Sequence, residues 1–75
     1  MPKIPTIKAK DFLKDLLKYG CIEKRVKGSH HVLKYKDKTT VLAVHNEEIK
    51  KGTFSGVLNQ LEIDINDFIA FMNKN

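Results

Sequence analysis

The sequence contains one cysteine, Cys21, so no internal disulfide can form. A disulfide-stapled secreted scaffold is excluded, and a reducing compartment fits. Both prolines, Pro2 and Pro5, fall at the start of the chain, predicting an extended arm over Met1 to Thr6. No stretch approaches the roughly 20 apolar residues that cross a membrane. Met1-Pro2-Lys3-Ile4-Pro5 also lacks the apolar core of a signal peptide. The expectation is a cytoplasmic protein without a membrane partner. Acidic residues are the scarcer charge, 9 against 14 Lys and Arg, for a net charge of +5. That balance favours acidic partners: nucleic acid, an anionic membrane surface or an acidic protein. The plainer alternative is a soluble protein with a lysine-rich surface.

The 75 residues make one domain, 1–75. A domain this small buries only about 60% of its unfolded surface. It has no room for a deep cleft, so any chemistry sits on an exposed face. Ala9, Phe12, Leu13, Leu16 and Leu17 recur at helical spacing, and Gly20 is a natural stop. Ile22 to Lys27 alternates Ile22, Lys24 and Val26 against Glu23, Arg25 and Lys27, as in a half-exposed strand. His31 to Lys36 and Thr39 to His45 read as two more strands, with a polar turn over Lys36-Asp37-Lys38. The short connections favour an antiparallel meander.

Asn46 to Gly52 reads as a loop, with Thr53 as the N-cap of a helix carrying Phe54, Val57, Leu58 and Leu61. Gly56 within that helix suggests a close approach to the sheet. Asp64 and Asp67 resemble a capping box before a last helix with Ile65, Phe68, Ile69 and Met72 on its apolar side. The fold class is therefore α+β: a three-stranded antiparallel sheet with helices on one face, in the order α-β-β-β-α, plus a short C-terminal helix. Double-stranded-RNA-binding domains use the same α-β-β-β-α order.

Gly28-Ser29-His30-His31 interrupts the strands directly after the basic Lys24-Arg25-Val26-Lys27. A glycine permits a sharp turn, and a histidine beside it can exchange protons near neutrality. RNA cleavage without metal needs a base near the 2′-OH, an acid near the leaving 5′-oxygen and positive charge around the phosphate. His30 can fill either proton role; the plain alternative is a solvent-facing histidine at a strand end. His31 should point the other way, toward the helices.

His45, at the end of the third strand, is expected near the start of the second, which makes a two-histidine pair with His30 conceivable. The three histidines lack a nearby cysteine or carboxylate ligand, so neither a metal site nor a cofactor is expected. Cys21 reads as a small packing residue.

Gly20, Arg25, Gly28-Ser29-His30-His31, Val44-His45 and Lys50-Lys51-Gly52-Thr53, in that order, resemble the HicA (YcfA-like) toxin family from about Ala9 to Leu61. The resemblance implies a double-stranded-RNA-binding-domain-like fold and a metal-independent mRNA interferase, neutralised by a HicB-type antitoxin. It places the catalytic histidine at His30. Arg25, Lys27, Gly28, Ser29, Lys50, Lys51 and Thr53 are then expected to bind substrate. For the two lysines local physics agrees, because a helix N-terminus attracts anions. Few aromatics lie among these basic residues apart from Tyr35, so base stacking is not the obvious mode. The sequence departs from many relatives at Cys21, near Val44, at Gly56 and in its last helix. The rival reading is a non-catalytic RNA-binding module.

Overall fold

A computed structural model describes residues 4–74. Helix α1 (Ala9–Tyr19) leads into strands β1 (Ile22–Lys27), β2 (His30–Tyr35) and β3 (Lys38–Ala43). Helices α2 (Lys51–Gln60) and α3 (Ile65–Lys74) follow. The strands form one antiparallel sheet in the order β1-β2-β3. This is the expected α+β, double-stranded-RNA-binding-domain-like architecture. Of the expected arm over Met1 to Thr6, Met1 to Lys3 lie outside the described residues; Ile4 packs against the core, as does Ile7 just after the arm.

In α1, the spacing of Ala9, Phe12 and Leu16 puts all three in the core. Leu17 falls at the margin of that stripe and is 40% exposed. The helix stops at Gly20, whose φ of 127° is unfavourable for residues with a Cβ. The Gly20 N–H donates to the Leu17 carbonyl, and the Cys21 N–H to the Leu16 carbonyl. This Schellman pattern satisfies carbonyls that the helix end leaves unpaired.

Two-residue loops join the strands. In the first, Gly28 has a φ of 59° while Ser29 keeps an ordinary negative φ. Glycine at the first central position of such a hairpin suits a II′ turn, whose twist matches the flanking strands. The Ser29 carbonyl then accepts from the Val44 N–H at 2.7 Å, extending the β2–β3 pairing past the ladder. Strands β2 and β3 each run one residue earlier at the start than the alternation indicated, and β3 ends at Ala43. His45 therefore lies beyond the strand rather than in it.

The strict alternation expected for β1 is broken. Glu23 pairs with Leu33 but Arg25 with Val32, leaving Lys24 as an extra residue in a β-bulge. Directly paired residues share a face. Glu23 and Val26 therefore lie on the helix side with Leu33 and His31, while Ile22, Arg25 and Lys27 face outward.

Helix α2 starts two residues before the expected cap. The Ile49 N–H donates to the Ile7 carbonyl, and Lys8 and Glu48 form an isolated bridge, which sets the chain's entry. The Phe54 N–H already donates to the Lys50 carbonyl. Lys51 and Gly52 are thus helical, and Thr53 sits in the first turn instead of capping it; no side chain caps this end. The close approach expected at Gly56 is also absent, since an added Cβ there would meet nothing within 4 Å. Gly56→Ala is accordingly expected to stabilise the protein by about 1 kcal/mol through helix propensity alone, read as a rise in thermal midpoint. An unchanged or lower midpoint would contradict this account of α2.

Asp64 caps α3: its Oδ1 accepts from the Asp67 N–H at 3.0 Å. The helix drives Phe68, fully buried, among Phe12, Phe54 and Tyr19. The Phe12 and Phe68 rings meet edge to face at 5.7 Å, and Phe12 stacks on Phe54 at 4.8 Å. Leu33 and Leu42 complete this core from the sheet. All the helices thus cover one face, and the other stays open.

Candidate functional site

The register arranges the open face in rows across the strands. Lys27, His30 and Ala43 form the row at the Gly28-Ser29 turn. Arg25, Val32 and Val41 form the middle row, and Ile22, Lys34 and Thr39 the far one. No outward position in these rows holds an acidic residue. The bulge is the reason: without it, alternation counted back from Lys27 would turn Glu23 outward. Positive charge on a face without carboxylates favours polyanions. Ile22 and Val41, 58% and 54% exposed, add apolar surface among the cations.

His30 opens β2 as the cross-strand partner of Lys27 and is exposed on this face. Gly28 and Ser29 form the turn that fixes this pairing. Arg25 shares the face with Lys27, as the sequence suggested. An arginine there can meet a phosphate with two parallel N–H contacts.

His31 leans to the helix side, and its Nδ1 lies 2.7 Å from a Glu23 carboxylate oxygen. The pair holds the imidazole against the sheet margin, away from the open face. Glu23 as the partner was not legible in the sequence, because regular alternation sets the two on opposite faces. The signal for Lys34 was present, since its alternation with Leu33 and Tyr35 already put it on the side opposite the core.

His30 is paired with Ala43, so His45 lies two residues past the residue facing His30. His45 lines an open cavity of about 260 Å³ with Ala43, Glu47, Glu48, Lys50 and Thr53. His30 is not part of that lining. Lys50 and Thr53 thus gather beside His45 at the start of α2, together with Lys51, whereas Arg25 and Lys27 lie on β1. The His30–Ala43 pair stands between the two groups. The expected substrate-binding residues therefore fall into two clusters, flanking His30 from opposite edges of the sheet.

Cys21 is 5% exposed, and burial pushes its thiol up to about 11. The thiolate is the reactive form, so Cys21 is expected to resist a thiol reagent at pH 8 in the native protein and to react on unfolding. Rapid labelling of folded protein would contradict this packing. Among the described residues, no group of three or more His, Cys, Asp or Glu could hold a metal ion. No helix among them is long and apolar enough to cross a membrane.

Fold and face together define a small basic α+β domain with one bare sheet surface and a histidine at its rim. The pattern that describes the HicA toxin of bacterial toxin–antitoxin systems fits residues 9–63. The chain belongs to the HicA toxin family, and membership in a toxin–antitoxin pair implies an antitoxin partner. No curated protein matches the chain.

Proposed function

We propose that the protein is an mRNA interferase, the endoribonuclease toxin of a type II toxin–antitoxin pair. In this reading His30 carries a proton in metal-independent cleavage, as base toward the 2′-OH or acid toward the leaving 5′-oxygen. Arg25 and Lys27 hold the phosphate on one side and Lys50 and Lys51 on the other, supplying positive charge where it develops. Gly28 and Ser29 shape the turn that presents His30, and Thr53 adds a hydroxyl near the lysines. A HicB-type antitoxin would silence the protein by covering His30. The protein and its RNA would meet in the cytoplasm.

The single observation that carries this reading is the row Lys27–His30, a proton carrier paired with a cation on a face without acids. The test is incubation of a long single-stranded RNA with the protein in excess chelator, against His30→Ala and His45→Ala. Cleavage by the parent but not by His30→Ala supports the reading, and His45→Ala shows whether the second proton step uses His45. RNA binding without cleavage by any form would sink it in favour of a non-catalytic RNA-binding module, the alternative that the basic surface also allows.

A further inference from the structure

We infer that RNA binds as a single strand laid over the open sheet face, along the line Lys27, Arg25, Lys34, and not as a duplex against the helices. This rests on the reading of His30 as the cleaving residue, and it adds the mode of binding and a binding residue, Lys34. His30 faces away from α1, α2 and α3, so a phosphate within its reach must lie on the outer face. The lysines along α1, Lys10, Lys14 and Lys18, belong to a helix packed on the other side of the sheet and cannot serve that phosphate, whereas Lys50 stands at the rim beside Ala43, the partner of His30.

The rows set the spacing. Successive outward positions along a strand are about 7 Å apart, twice the rise per residue. That is comparable to the separation of neighbouring phosphates in an extended single strand. Lys27 in the first row, Arg25 in the second and Lys34 in the third therefore offer one cation per phosphate, starting beside His30. Lys34 stands on β2, so the line crosses diagonally from the sheet edge toward its centre.

Beside that line, Val32 and Val41 line a shallow depression of about 560 Å³ that also takes in Thr39, Thr40 and Gln60 and so reaches round the free edge of β3 to α2. It has room for an unpaired base but no aromatic ring for stacking, which predicts weak discrimination among bases. A duplex keeps its bases stacked inside and leaves these apolar positions unused. An acidic protein segment is the competing occupant. The observation against it is the even spacing of Lys27, Arg25 and Lys34 along one line that starts beside His30.

The test measures anisotropy of a fluorescent 2′-O-methyl oligonucleotide, which resists attack by the 2′-oxygen, as a single strand and as a duplex. The proteins are the parent chain, Lys34→Ala, Lys14→Ala with Lys18→Ala, and His30→Ala. The expected result is single-strand binding at least tenfold tighter than duplex binding. Lys34→Ala should weaken it five- to tenfold and flatten the log K against log salt slope by about 0.7, the value for one phosphate contact on a single strand. The α1 double variant should leave it unchanged.

Equal or tighter duplex binding would overturn the inference. So would loss through Lys14 and Lys18 with none through Lys34, or no affinity for either form at low salt, which would point to a protein occupant. The assay does not depend on cleavage. Failure here with His30-dependent cleavage intact would leave the nuclease reading standing. Binding through Lys34 by a protein that cleaves nothing would keep the track and remove the nuclease.

Discussion

Replacing His30 with alanine is expected to lower RNA cleavage by about 10²–10⁴-fold, the usual contribution of a positioned acid or base, while the fold survives. His30 is exposed at the start of β2, so truncation opens no cavity and leaves no buried group unpaired. Substitutions at such positions usually shift stability by less than about 0.5 kcal/mol. The contrast is His31→Ala, one residue on, which breaks the contact to Glu23 on the opposite face and should alter stability more than cleavage. Cleavage rates measured beside thermal midpoints separate the two. If His30→Ala retained rates within a few-fold of the parent, the acid–base assignment would have to move elsewhere on the rim.

The second large effect concerns α3, which begins just beyond the part of the chain that matches the family, residues 9–63. Phe68 is fully buried and touches rings from α1 and α2, so Phe68→Ala empties a ring-sized volume at the centre of the core. Such truncations cost about 3–5 kcal/mol. A domain of this length has about 4–11 kcal/mol in total, at 0.05–0.15 kcal/mol per residue. The variant is therefore expected to be partly unfolded at 37 °C. A chain ending at Ile63 should lose its cooperative melt altogether. Circular dichroism melts of both would decide, and a midpoint within about 5 °C of the parent would mean that α3 is an appendage instead of part of the core.

Much of this architecture was legible in the sequence because its signals are local. Gly20, the α1 stripe and Asp64 mark their elements by chemistry that acts over three or four residues. The hairpin at Gly28-Ser29 was equally readable from the glycine. What escaped was set by distant contacts. The early start of α2 depends on Ile7 and Lys8 holding Glu48 and Ile49, which no periodicity within the loop encodes. The bulge at Lys24 is invisible because every residue around it is charged or β-branched and suits either face. For the candidate site, residue types pointed to His30, Arg25 and Lys27, and alternation alone was enough to put Arg25 and Lys27 on one face. The pairing of Glu23 with His31 could not be found that way, since it exists only through the bulge. Gly56 misled because a glycine signals permission for close approach, not its occurrence.

The bulge also bears on chain length. In β2, removing one residue would invert every side chain on one side of the gap, because strand faces repeat every two residues. In β1, Lys24 is already surplus to the pairing. Its deletion would leave Glu23 opposite Leu33 and Arg25 opposite Val32 as they are now, in an uninterrupted ladder. Lys24 is thus a place in the sheet where a sequence can grow or shrink by one residue without being read in a different frame. When β1 segments of differing length are compared, their facing is better counted from the Gly28 turn than from the end of α1.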